Sequence, residues 1–330
     1  MSLERHPYDT ARRFAAILWA ARQFEFGSSP RFLDVGGYPG LLAELLREQY
    51  PESEALTVDT VDEEREHYRK ADGARLPFQD NEFDAVFSSD VLEHVPGRDR
   101  PAFISEMLRV SNGPVILGAP FFNEATSFIE KQIDDTHREL TGQPHPWLFE
   151  HVENGLPDLT RTLECLNGRT NALIRSAPLQ NKTFCQWAAL MEDIDGVLTE
   201  TLKQSTGSLS QKVVDEDFQH VAPGHENGFL PYRWVIVSQT PDNAPLLAPD
   251  VEALRPQPGE VARAIATSDM LRALALAIAK QSDSRDIAGS IDTKLSAALE
   301  LAEKENRKLR EQTQRSRGGL ARLLNRTSRS

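Results

Sequence analysis

The stretch Arg31-Phe32-Leu33-Asp34-Val35-Gly36-Gly37-Tyr38-Pro39-Gly40 decides how the rest of the chain is read. A short apolar run ends in a carboxylate and a glycine-rich turn, and Leu41-Leu42-Ala43-Glu44-Leu45-Leu46 follows. The leucines fall at i, i+1, i+4 and i+5, the spacing of a helix that buries one face. Strand, glycine turn and helix together open a doubly wound α/β sheet, in which ligands bind beyond the carboxyl ends of the strands. Glycine serves there because the backbone can take positive φ and approach a ligand closely.

Outward from this stretch the pattern alternates. Tyr8 to Phe24 carries Ala11, Phe14, Ala15, Leu18, Trp19 and Ala21, an amphipathic helix expected to lean on the first strand. Ala55-Leu56-Thr57-Val58 reads as a second strand ending at Asp59. Phe83 to Ser89 and Pro114 to Ala119 read as buried strands, and the helix at 102–108 between them has Pro101 at its start. Strands alternating with helices at these lengths argue for a parallel sheet. From Phe121 to Pro157 the periodicity loosens into histidine and aromatic clusters. Leu159, Leu163 and Leu166 restore helical spacing, Ala172-Leu173-Ile174 suggests a strand, and Trp187 to Leu198 is an apolar helical stripe. Trp234-Val235-Ile236-Val237 is read as the last strand.

Residues 1–240 are therefore expected to form one α/β domain. Residues 241–266, with Pro241, Pro245, Pro249, Pro256 and Pro258, read as a linker. Residues 267–330 read as a helical tail, started by Thr267-Ser268-Asp269 as a cap, with Ile291, Leu295 and Leu309 on a weak coiled-coil seam.

A 330-residue chain with 39% hydrophobic content is long enough for such a domain and more. The net charge of −13 is uneven: residues 307–330 hold eight Arg or Lys and one Glu, which leaves the preceding 306 residues near −20. An acidic body offers no electrostatic footprint for nucleic acid. The basic end, with Leu320-Ala321-Arg322-Leu323-Leu324, suits peripheral contact with anionic lipid, and the seam suits a homodimer. With no basic-then-apolar leader read at the start, no apolar run near ~20 residues, and only Cys165 and Cys185, the expectation is a cytoplasmic protein without a disulfide scaffold.

Further signals lie at the expected strand ends: Asp59, then Asp72-Gly73-Ala74-Arg75-Leu76-Pro77-Phe78, then Ser89-Asp90-Val91-Leu92-Glu93-His94-Val95. In this order they resemble the class I S-adenosylmethionine-dependent methyltransferases, especially their small-molecule branch. The resemblance covers residues 10–120 well and 120–240 by architecture. It implies a Rossmann-like sheet, mostly parallel with a late antiparallel strand, and S-adenosylmethionine as cofactor. It also implies roles: Asp34 toward the methionine amino group, Gly36 and Gly40 beside the cofactor, Asp59 on the ribose with Asp62 as rival, Asp72 and Gly73 at the adenine, and Asp90 with Val91 beside the sulfur.

The chain departs from the family pattern in two places. Tyr38 and Pro39 make the glycine turn bulky, and only twelve residues separate Asp59 from Asp72, too few for a full helix and strand. The acceptor is expected to be a small molecule or a glycan, with His94, His145 and His151 as catalytic candidates and His137 beside them. No metal is expected, since Glu93 and His94 alone are two adjacent ligands. The rival reading is a catalytically silent scaffold acting through its helical tail. It would be favoured if Tyr38 filled the cofactor's place.

Overall fold

The middle of β1 (Arg31–Val35), from Phe32 to Asp34, is paired on both sides, to β2 (Glu54–Asp59) and to β4 (Ala85–Ser89), both parallel. The computed structural model describes residues 6, 8–166, 170–179, 182–183, 186–187, 190, 231–238 and 258–281. Outside these strands lie β3 (Tyr68–Lys70) and β5 (Val115–Pro120), and then β7 (Pro231–Ser238) and β6 (Thr170–Pro178). The sheet order is β3-β2-β1-β4-β5-β7-β6, with β7 antiparallel to both neighbours. Every residue of β4, β5 and β7 is buried, which is why these strands read as continuous rather than alternating apolar runs.

One face is covered by α1 (Tyr8–Ala21) and α2 (Leu41–Gln49), whose Ile17, Leu42 and Leu46 pack with Phe32, Phe87 and Ile116. The other carries α3 (Arg100–Val110) and α6 (Leu159–Cys165), with Phe103, Met107 and Leu163 on Val86 and Leu117. The first helix does not lean chiefly on β1 as expected, where α2 packs as well. It lies over β5 and β6 instead, so close that a Cβ on Gly118 would stand 3.3 Å from Ile17 Cδ1. The twelve residues between Asp59 and Asp72 hold only the three-residue β3 and no helix.

Beyond β5, where the periodicity loosens, stands the 18-residue α4 (Glu124–Thr141). Its limits are chemically explicit: Asn123 Oδ1 accepts the Thr126 N–H at 2.9 Å, and Gly142 closes the end at φ 74°. The apolar pattern is broken because this helix buries Glu130, Gln132, Asp134 and Thr136 alongside Ala125, Ile129 and Ile133. The next helix, α5 (Leu148–Asn154), returns toward the sheet's carboxyl edge.

Of the linker expected over 241–266, residues 258–266 are helical, and 241–257 lie outside the described residues. Pro258 opens α7 (Pro258–Gln281), which packs on α4 with Ala264, Leu271 and Ala275 buried. Thr267-Ser268-Asp269 is therefore no cap but the middle of a helix. Trp187 Nε1 donates to Ser268 Oγ at 2.9 Å, Ser268 donates to Gln132 Oε1 at 2.6 Å, and Gln132 Nε2 donates to Asp269 Oδ1 at 2.6 Å. The coiled-coil seam and the basic end lie outside the described residues.

A chain ending at Ala266 loses Ser268 and Leu271 and strands the buried Gln132 and Trp187 polar groups. It is expected to be less stable than a chain ending at Gln281 by at least about 3 kcal/mol, since each unsatisfied buried group costs about 1–3 kcal/mol. Urea unfolding of the two chains measures this, and equal midpoints would show that α7 is not part of the domain.

Candidate functional site

The sheet order reverses between β1 and β4, and a cavity of about 610 Å³ opens at their carboxyl ends. Its walls come from four loops: Val35 and Gly36 after β1, Asp59 and Thr60 after β2, Ala71 to Ala74 after β3, and Asp90, Val91, His94 and Val95 after β4. Phe103 of α3 closes the back. The volume lies within the range of about 300–1,000 Å³ common for small-molecule sites.

The glycine turn is held open by contacts that tolerate no side chain. Gly36 has φ 78°, its N–H donates to Val58 O at 2.7 Å, and an added Cβ would lie 2.5 Å from the Val91 methyls. A Cβ on Gly37 would stand 1.8 Å from Asp34 Oδ2. That second glycine, unremarked in the sequence, is what allows the Asp34 carboxylate to tuck beneath the turn. Asp34 is 1% exposed, and neither of its oxygens has a hydrogen-bond partner in the protein. Burial raises its pKa to about 7, the Asp59 charge adds to this, and Arg13 opposes it. Gly40 lies apart from the cavity, in the left-handed region at φ 99°, and starts α2.

Asp59 is positioned by the turn itself: Oδ2 accepts the Tyr38 N–H at 3.1 Å and Oδ1 the Val61 N–H at 3.3 Å. Its rival Asp62 points to Lys70 Nζ at 2.9 Å and is not on the cavity wall. Asp72 Oδ1 accepts the Ala74 N–H at 2.9 Å, and Gly73 admits Phe103, whose Cε2 would lie 2.5 Å from a Cβ there. The Tyr38 ring turns away from the cavity. It is 41% exposed and stacks edge-on with Tyr68 at 6.1 Å, and a hydrogen bond with Glu63 raises its hydroxyl pKa.

Asp90 is on the wall, but its carboxylate is committed. Arg233 Nε donates to Oδ1 at 2.6 Å and Nη2 to Oδ2, a bidentate fork on a side chain 1% exposed. Arg233 also reaches Asp9, which Lys182 Nζ approaches to 2.7 Å. Burial acts against both ions, yet Lys182 and Arg233 lower the Asp9 pKa, and Asp90 and Asp9 raise that of Arg233. An arginine inside the apolar run of β7 was the available sign of such a pair.

The histidines separate. His94 lines the cavity and stands 4.8 Å, ring to ring, from the buried His151 of α5. Burial, then His151, lowers the His94 pKa, while burial and Asp90 hold the Glu93 carboxyl well above the carboxylate range. His145 lies elsewhere: its Nδ1 accepts the Leu148 N–H at 3.2 Å at the start of α5, and its ring meets His137 at 5.4 Å. Burial and His137 lower its pKa to about 4. Its local work is to begin a helix.

Residues 33–116 match a family described as a methyltransferase domain. An uncharacterized methyltransferase of Mycobacterium sp. (strain KMS) is 32% identical over 110 residues, 31% of this chain and 43% of that protein, and one from strain JLS is 31% identical over the same length. The matched stretch spans less than half the length of these relatives. Among solved structures, geranyl diphosphate C-methyltransferase from Streptomyces coelicolor A3(2) is 14% identical over 68% of this chain and 78% of its own, with TM-score 0.39. A phosphoethanolamine N-methyltransferase of Haemonchus contortus is 16% identical over 68% and 52%, also with TM-score 0.39.

Because the Asp34 pKa is raised in the folded state, the unfolded chain ionises first as pH climbs. The fold should therefore lose stability from about pH 4 to about pH 7 on this account. Asp34→Asn removes that dependence. Its stability relative to wild type, without ligand, should rise across this interval by up to roughly 4 kcal/mol, at about 1.4 kcal/mol per pKa unit. Denaturant unfolding at pH 4.5 and 8 would test it, and a difference that does not change with pH would refute the assignment.

Proposed function

We propose, from the match of residues 33–116 to a methyltransferase domain, that the chain is a class I S-adenosylmethionine-dependent enzyme that moves a methyl group from S-adenosylmethionine to a small-molecule or saccharide acceptor. The observation that carries the proposal is the buried Asp34 carboxylate, without a hydrogen-bond partner beneath the glycine turn; Gly36 of that turn lines the cavity, while Asp34 itself lies behind the lining. A buried carboxylate without partners is costly, and a cationic amino group, directly or through water, is its chemical complement. The residues present fit the cofactor: Asp34 toward its amino group, Asp59 toward the ribose, and Asp72 with Gly73 toward the adenine. When bound, the cofactor supplies a methyl group already activated on a sulfonium sulfur. The protein's own contribution is then mainly positioning, worth on the order of 7–11 kcal/mol in well-oriented reactions.

The outward Tyr38 ring favours this over the silent-scaffold reading, which needs that ring in the cofactor's place. Of the three catalytic candidates, His94 is the one on the cavity wall, next to Val91 and Val95, where an acceptor would reach the donor. A glycan acceptor near a membrane would suit the basic terminal residues 307–330.

Calorimetry with S-adenosylmethionine and its demethylated product tests the proposal. Wild type should bind both, and Asp59→Ala should bind about 10- to 150-fold more weakly, the loss of a hydrogen bond to a charged group. No heat with wild type at millimolar ligand would remove the enzyme reading. For the tail, full-length protein should sediment with anionic liposomes at low salt and a chain ending at Gln281 should not. Equal sedimentation would remove the membrane contact.

A further inference from the structure

Glu93, His94 and His151 come together beside the cavity, which His94 lines, their donor atoms all within 4.8 Å of one another. The first two leave the loop after β4 and the third stands on α5, so only the tertiary fold assembles the group. We propose that these three residues bind a first-row divalent transition metal ion, of which Zn²⁺ is the representative, beside the cavity.

Each donor is prepared in a way that simple packing does not require. His94 Nδ1 lies 2.7 Å from Glu150 Oε2, and His151 Nδ1 lies 3.1 Å from Glu130 Oε2. A carboxylate on Nδ1 fixes the proton there and leaves Nε2 as the bare lone pair, the arrangement that outer carboxylates give to metal-bound histidines. Glu130 is held in turn by the buried Tyr232 hydroxyl, which donates to Oε1 at 2.7 Å. His151 Nε2 and Glu93 Oε2 are both buried and without any partner in the protein. The residues that carry them are 7% and 2% exposed. Buried polar atoms without partners are unfavourable, and a bound cation would satisfy both while holding Glu93 in its ionised form.

The donor set sets the metal class. Two imidazoles and one carboxylate suit Zn²⁺, Fe²⁺, Mn²⁺ or Co²⁺ rather than Ca²⁺ or Mg²⁺, which prefer oxygen throughout. Donors around a four-coordinate ion at about 2.0–2.1 Å stand roughly 3.4 Å apart, so donors that lie up to 4.8 Å apart must draw in by up to about 1.4 Å. Asp90 does not complete the set, because its carboxylate is turned to Arg233. With three protein ligands the ion keeps open positions, and His94 puts them at the cavity wall. On the transfer reading, an acceptor oxygen could ligate there and become more acidic than in water. The site itself does not depend on that reading.

The test uses full-length protein stripped with a chelator and then titrated with Zn²⁺ against a chromophoric competitor, with Co²⁺ as a spectroscopic probe. One equivalent should bind, and Co²⁺ should show visible absorption stronger than that of its aqua ion. His94→Ala, His151→Ala and Glu93→Gln should each weaken binding at least about 100-fold, and Glu150→Gln about 10- to 100-fold. His137→Ala should leave it unchanged. Should the buried variants fail to fold, His94→Ala and the half-exposed Glu150→Gln still decide the question. Wild type taking up no Zn²⁺, or binding unaltered in those two variants, would overturn the proposal. Cofactor calorimetry on the stripped protein separates this from the transfer reading, because the cofactor should bind with or without the ion.

Discussion

The bidentate pair between Arg233 and Asp90 is the interaction on which the site's shape depends. Asp90 ends the strand at the switch point in the left-handed region at φ 54°, and its N–H donates to Gly118 O at 2.8 Å. Arg233 belongs to β7, the antiparallel strand that arrives from much later in the chain. Through Asp9 the same guanidinium reaches α1, and Lys182 extends the network past β6. One buried cation thus fastens the late strands and the first helix to the wall of the cavity. Removing either partner of such a pair strands the other charge in a dry environment, at a cost of about 3–5 kcal/mol. That is a large share of the stability of an ordinary domain.

Around this anchor the buried polar groups differ in how they are satisfied. Gln132, Ser268, Asp269 and Trp187 form a continuous chain of hydrogen bonds that joins α4 to α7. Several groups around the glycine turn and the histidines have no such partners. The oxygens of Asp34, Glu93 Oε2 and His151 Nε2 are all buried without partners. Buried polar groups left without partners cost folding free energy, and a cation is the chemical complement that the two proposals place there.

Legibility in the sequence followed the range of the interaction involved. Gly36, Asp59, Asp72 and Asp90 could be placed because a strand end and the turn after it are local features, and all four line the cavity. The α4 helix was missed because burial of Glu130, Gln132, Asp134 and Thr136 broke the apolar period that would have marked it. Ser268 looked like a cap because hydroxyls favour helix starts, whereas its hydroxyl is occupied by residues more than 80 positions away. His145 was grouped with His151 by proximity along the chain, yet a single helical turn sends one to start α5 and the other to face Glu130.

The sequence by itself determined the alternation of strand and helix, the glycine turn and the carboxylates at the strand ends. Each of these rests on side-chain periodicity or on backbone freedom within a few residues. The tertiary structure alone decided which carboxylates are committed and which are open, that Tyr38 faces outward, and that His151 meets Glu93 and His94. Those outcomes depend on burial and on distances between loops some 60 residues apart. A buried charge takes its state from whatever partner the fold brings within hydrogen-bond reach, and local sequence does not carry that information.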